Sequence, residues 1–137
     1  YAHDHGKTGV EYVDEKMESM FAHRSFLVFG FPVARGSDFM PVPYEPLMAL
    51  ESLVTRNVVR GRVWGPSQRV SVTEAMRICT VHGAYSSFEE DLKGSLTAGK
   101  LADIVILDND PHAVDPDAIM NIQVLRTIVG GRTVHEA

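Results

Sequence analysis

Phe31-Pro32-Val33-Ala34-Arg35-Gly36-Ser37-Asp38 is an apolar, strand-like run that stops abruptly at a carboxylate. A strand that delivers one Asp into a Gly/Pro-rich loop is how a (β/α) barrel presents a ligand or proton carrier at the mouth of its site. The run therefore predicts a buried barrel strand ending at Asp38.

Working outward toward the C-terminus, Pro41, Pro43 and Pro46 stiffen the stretch 39–46 into a loop. Pro46 suits the first turn of a helix whose Leu47, Leu50, Val54 and Val58 fall on one face. Gly61 to Pro66 reads as a connection. Ser71-Val72-Thr73-Glu74 spells a capping box, opening a helix with Val72, Ala75, Met76 and Cys79 inward and Gly83 as its breaker. After Gly94 the period changes. Ala102 to Leu107 reads as a buried strand, followed by the turn Asp108-Asn109-Asp110-Pro111. Val124–Val129, Gly130-Gly131 and Arg132–His135 form a hairpin signal, because paired glycines supply the positive φ angles of a tight turn.

Toward the N-terminus, Ser25 is placed to cap a short helix through Phe29, stopped by Gly30. A capping box at Thr8 and the apolar spacing Val10, Val13, Met17, Met20, Phe21 predict a helix over 9–22. Residues 1–7 read as loop.

The bulk numbers bound the function. At 137 residues and 45% apolar, the chain can bury one ordinary core, but a complete eightfold barrel needs about 250 residues. It begins at Tyr1 rather than Met, as a processed, proteolysed or excised piece would. Thirteen Lys/Arg against 18 Asp/Glu, scattered, leave no footprint for nucleic acid or an anionic membrane surface. Cys79 is the single cysteine, so no internal disulfide forms, and a reducing, cytoplasmic compartment is the expectation. No apolar run approaches the roughly 20 residues that span a bilayer.

Among residues that could carry chemistry, Asp38 leads. A carboxylate at a strand end can ligate a divalent metal or carry the proton of metal-bound water; the bland alternative is a turn-forming Ser37-Asp38. His3-Asp4-His5 has the alternation of a metal pair, yet no strand precedes it. Gly94-Ser95-Leu96-Thr97-Ala98-Gly99-Lys100-Leu101 nearly spells a phosphate loop, but Leu101 stands where Ser or Thr would hold magnesium, and a strand follows instead of a helix. His82 reads as a hydrogen-bonded packing histidine, and His23, His112 and His135 have no partner pattern. Trp64 reads as the anchor of a Gly/Pro loop, and the methionines as core filler.

Taken together, Gly36-Ser37-Asp38-Phe39, Pro46-Leu47 with Val54-Thr55-Arg56, Gly94-Ser95-Leu96 with Gly99–Asp108, and Thr127–Val134 resemble the C-terminal part of the amidohydrolase superfamily. The branch is the amidohydrolase 3 group, which includes enzymes like N-substituted formamide deformylase. The likeness runs from about Phe21 onward and is weak before it.

The resemblance implies an α/β fold: the C-terminal fragment of a metal-dependent (β/α)8 barrel, residues 1–93, plus strands of an accompanying small β-sandwich, residues 94–137. On that map Phe31–Asp38 is the eighth barrel strand, and Asp38 both ligates metal and manages the proton of the attacking water. Phe39 would line the substrate side of the loop. The remaining ligands, a His-x-His, a bridging lysine or acid and two further histidines, would lie before Tyr1. One carboxylate cannot hold a catalytic zinc, which ordinarily takes three protein ligands plus water. The expectation is a parent enzyme using a divalent metal, zinc, on a small amide-like substrate, while the isolated chain binds no stoichiometric metal and hydrolyses nothing. The remainder of the barrel polypeptide is then a partner, and a homo-oligomer stays open. The competing reading is a free-standing binding or assembly module derived from a barrel tail.

Overall fold

The computed structural model describes residues 16, 18–37, 39, 44–58 and 62–137. Among the described residues, four short α-helices come first: α1 (His23–Val28), α2 (Pro46–Thr55), α3 (Val72–Cys79) and α4 (Val81–Ser86). A small antiparallel pair, β1 (Asn57–Val58) and β2 (Arg62–Val63), separates α2 from α3. A three-stranded antiparallel sheet follows from β3 (Ile104–Leu107), β4 (Val124–Val129) and β5 (Arg132–Glu136), with β4 in the centre. A one-turn 3-10 helix occupies Pro66–Gln68, and a 3-10 helix of two turns occupies Pro116–Asn121.

The core lies between α2, α3 and the second 3-10 segment. Leu50 and Leu53 of α2 meet Ala75 and Ile78 of α3, with Val70, Ile119 and Ile122 completing the cluster. Ala75, Ile78 and Ile119 are fully buried. Val72, Met76 and Cys79 pack against this cluster as their spacing requires. The Ser71 box forms in full: the Glu74 amide donates to Ser71 Oγ at 3.2 Å, and the Ser71 amide donates to Glu74 Oε2 at 2.7 Å. It satisfies two amides that helix geometry would otherwise leave without partners.

Arg56 closes α2 in the left-handed region (φ +60) and is only 2% exposed. Its Nε donates to the Trp64 carbonyl at 2.8 Å, Nη1 to Phe21 at 3.3 Å and Nη2 to Met20 at 3.1 Å. One guanidinium thus ties the helix end to the β1–β2 hairpin and to the segment entering α1. Ser25 also serves in tertiary contact: its amide donates to Gln68 Oε1 at 3.1 Å. It lies inside α1, not at its cap.

Several expectations change. Residues 31–37 form no strand, and Phe31 is 59% exposed. A buried strand exists only where neighbours accept its ladder of hydrogen bonds, and no described segment runs alongside this one. Val58 belongs to β1, because Arg56 ends the helix two residues before it. Gly61–Pro66 contains β2 in addition to a connection. The break after α3 falls at Thr80 (φ −124, ψ −84), and Gly83 sits inside α4. Ser19 to Phe21 form a turn, with Phe21 at φ +52; most of the helix expected over 9–22 lies outside the described residues.

The C-terminal expectations hold better. β3 falls within 102–107, although Val105 and Ile106 are exposed on the described surface. The β4–β5 turn has Gly130 at φ +55 and Gly131 at φ +78, the pattern of a type I′ hairpin. That turn is also held from the side: the Gly130 amide donates to Asp103 Oδ1 at 2.7 Å, and the Gly131 amide to the Ala102 carbonyl at 3.0 Å.

Candidate functional site

Asp38, the leading candidate, lies outside the described residues, as do His3 and His5. Its neighbours are placed. The Phe39 amide donates to Ser37 Oγ at 3.3 Å, a local side-chain-to-backbone bond. The Phe39 ring is 59% exposed and meets Tyr44 edge-to-face, with centroids 5.3 Å apart and planes at 85°. Two aromatic rings therefore stand together at the surface beside position 38, a wall of the kind that holds an apolar or planar group.

The approach to this loop is held from below. His82 Nδ1 lies 3.0 Å from the Val33 carbonyl, so the ring donates to it and positions the segment, the packing role its sequence setting suggested. Next along, Ala34, Arg35 and Gly36 border a cavity of about 190 Å³ with Phe21, His23, Ser52, Leu53 and Arg56. His23 Nδ1 lies 2.8 Å from the Phe21 carbonyl. Burial holds the His23 imidazole below its ordinary value; the Phe21 carbonyl opposes this, and the cations Arg56 and Arg35 add to it. Burial likewise lowers the Arg35 and Arg56 guanidinium groups. The Cys79 thiol is raised by burial, with Arg35 pulling the other way, so it is an inert thiol at neutral pH.

Reading by local pattern passed over Arg35 and gave His23 no role. The usable signal was a charged side chain inside an otherwise apolar run, which demands an acceptor once that run is covered.

Among the described residues, no three His, Cys, Asp or Glu side chains gather as a metal shell. The described residues do not make a metal site. The phosphate-loop likeness is disposed of by geometry: Lys100 donates to the Glu90 carbonyl, and β3 follows in place of a helix. Gly94 serves packing instead, with φ +91 and space for no side chain against α4. Trp64 is buried as the expected anchor, and its amide donates to the Arg56 carbonyl at 3.1 Å. His112 pairs with Asp110 at 3.1 Å on the surface, and His135 stands opposite Thr127 on β5. No helix among the described residues is long and apolar enough to cross a membrane.

Comparison with known proteins gives the chain its relatives. N-substituted formamide deformylase of Arthrobacter pascens is 34% identical over 112 residues, covering 82% of this chain and 21% of the relative. Protein LONG AFTER FAR-RED 3 of Arabidopsis thaliana is 32% identical over 126 residues, covering 89% of this chain and 21% of the relative. The crystal structure of an amidohydrolase from Thermotoga maritima MSB8 superimposes with a TM-score of 0.64 at 22% identity, over 88% of this chain and 26% of that one. The chain thus spans about a fifth of the length of these two sequence relatives. A family model described as the amidohydrolase family matches residues 4–135. With that match running nearly end to end, the chain belongs to the amidohydrolase family.

Proposed function

We propose that this chain is the C-terminal portion of a metal-dependent amidohydrolase that cleaves non-peptide, amide-like C–N bonds in a small molecule. The observation that carries the reading is the family match over residues 4–135, together with 34% identity to an N-substituted formamide deformylase. In this reading residues 1–93 are the last part of a (β/α)8 barrel and 94–137 are strands of its companion sandwich. Residues 31–37 become the final barrel strand once neighbouring strands from the rest of the polypeptide lie beside them.

Asp38 is the carboxylate this chain contributes to the catalytic centre, as a metal ligand and as the base that accepts the proton of the attacking water. The cofactor in this reading is a divalent metal, zinc. Because one carboxylate cannot hold a catalytic zinc, the other ligands are assigned in this reading to the rest of the polypeptide, and the isolated chain is read as an inactive fragment. Phe39, paired with Tyr44, forms an aromatic wall for the substrate.

The exposed apolar side chains favour this reading over a free-standing module. Val28, Phe29, Phe31, Phe88 and Leu96 are all more than half exposed, as expected of faces that a larger body covers. The test is amine release from N-substituted formamides by the full-length polypeptide carrying Asp38→Asn. Turnover should fall about 10²–10⁴-fold with unchanged circular dichroism; wild-type turnover would remove Asp38 from the mechanism.

A further inference from the structure

Thr73, His112 and Asp110 stand in a line that the hydrolase reading leaves unused. His112 Nδ1 lies 3.1 Å from Asp110 Oδ1, which also accepts from the His112 amide at 2.9 Å. On the other side of the ring, His112 Nε2 lies 3.1 Å from Thr73 Oγ1, across 39 residues of sequence. The two segments are joined beneath the surface, where Ala75 and Ile78 of α3 share one apolar cluster with Ile119 and Ile122. None of residues 31–37 belongs to that cluster, so the line does not depend on the segment that the hydrolase reading turns into a barrel strand.

The protons follow from the partners. An ionised carboxylate only accepts, so Asp110 fixes a proton on Nδ1, and in the neutral imidazole the Nε2 lone pair then faces the Thr73 hydroxyl. The His112 amide and then the His112 ring hold the Asp110 carboxyl below its ordinary 3.8, which keeps it ionised at neutral pH. A hydroxyl, an imidazole within reach of it and a carboxylate behind the imidazole are the working parts of nucleophilic acyl transfer, in whatever order the chain supplies them. Thr73 is also the second residue of α3, whose first-turn amides have no acceptor inside the helix. Ser71 takes the Glu74 amide; those of Val72 and Thr73 lie at the helix end where developing negative charge is favoured.

We propose that Thr73, His112 and Asp110 form a second reactive site, in which Thr73 Oγ is acylated by small carboxylic esters that carry a good leaving group. As Oγ bonds to the ester carbonyl carbon, His112 Nε2 accepts the hydroxyl proton. The carbonyl carbon then loses its bond to the leaving oxygen, and the proton departs with that oxygen. Water, with His112 again as base, cleaves the acyl-threonine, returns the hydroxyl and releases the acid. All three side chains are exposed, so the site makes few contacts with the acyl group, and leaving-group reactivity sets the rate. The site uses none of the residues assigned to the hydrolase and stands whether or not that reading does.

The probe is p-nitrophenyl acetate, given to the full-length polypeptide as wild type, Thr73→Val, Thr73→Ser and His112→Gln. Release of p-nitrophenolate is followed by absorbance, and acid-quenched samples are digested with trypsin. Cleavage after Arg69 and Arg77 leaves Ser71 and Thr73 in one peptide, so its fragmentation compares the two hydroxyls directly. The expected result is acetyl on Thr73 in preference to Ser71, with acylation slowed about 10²-fold in His112→Gln, the lower end of general-base contributions, and kept in Thr73→Ser. A threonine that only ties the two segments together gives acetyl on lysines and Ser71 and none on Thr73, which overturns the proposal. It is overturned equally by p-nitrophenolate release that falls in His112→Gln and is unchanged in Thr73→Val, since the imidazole is then the nucleophile. Because the adduct is located by residue, ester hydrolysis at the Asp38 centre cannot mimic it. Should a variant fail to fold, the partition of acetyl between Thr73 and Ser71 in wild type decides alone.

Discussion

Replacing Gly94 by Ala tests the packing of the loop against α4, and Gly99 supplies the control. Both glycines have positive φ, +91 and +95, where an L side chain strains the backbone. They differ in surroundings. A Cβ at Gly94 would meet Ala84 Cβ at 2.8 Å, Val81 Cα at 3.1 Å and Thr80 O at 3.2 Å; at Gly99 nothing lies within 4 Å. Strain at such a φ costs about 1–3 kcal/mol, and stiffening the unfolded chain returns about 0.4–1 kcal/mol. Gly99→Ala should therefore cost about 1–2 kcal/mol net. Gly94→Ala carries the same terms plus overpacking of about 1–3 kcal/mol, because Val81 and Thr80 contribute backbone atoms that cannot swing aside. Its expected cost is about 2–5 kcal/mol. Equilibrium urea unfolding of the two variants and wild type, read by circular dichroism, gives both numbers. Because the backbone terms cancel in the difference, a gap below about 0.5 kcal/mol, the usual scatter of such comparisons, would refute the packing argument.

Ser71→Ala should destabilise by about 1 kcal/mol through loss of the cap, measured in the same unfolding assay. The box also titrates. The Glu74 carboxyl lies below its ordinary 4.5, chiefly because the Ser71 amide and then the Ser71 hydroxyl donate to it. A depressed folded pKa means stability present above the unfolded value and lost as pH falls through the folded one. The stability gap between wild type and Glu74→Gln should thus be full at neutral pH and close on acidification below 4.5; a gap that widens in acid would contradict it. Arg56→Met leaves three carbonyls without their charged donor and should cost about 2–4 kcal/mol, seen as early hydrogen exchange in β1–β2 and α1; uniform exchange across the chain would count against the clamp.

Where a feature depended on adjacent residues, the sequence disclosed it. The Ser71–Glu74 box needs only four residues and a following apolar face, and it forms as read. The Gly130-Gly131 turn needs only two residues able to take positive φ. Residues 31–37 form no strand for the opposite reason, since strand structure is conferred by a neighbour and the local pattern records only affinity for one. Arg56 was hidden for a similar cause. Arginine has no preference for a left-handed helix end, and what holds it there is a set of carbonyls 8 to 36 residues away. Gly83 misled because a glycine breaks a helix only when the next turn is unsupported, and here the chain had already turned at Thr80. At the candidate site, the aromatic residues Phe39 and Tyr44 were visible as residue types, whereas the convergence of His23, Arg35 and Arg56 required the folded chain.

The lateral hold on the Gly130-Gly131 turn bears on how this chain can be lengthened. Hairpin tips are ordinarily where a protein accepts extra residues, because their amides face solvent and nothing else depends on their position. Here Asp103 and Ala102 fasten the tip to the start of β3. A peptide inserted between the two glycines would release both bonds and loosen the entry to a second strand. The junction of Asn109 and Asp110, both exposed and with the Asp110 hydrogen bonds kept inside its own turn, is the better place for a graft, a tag or a natural insertion.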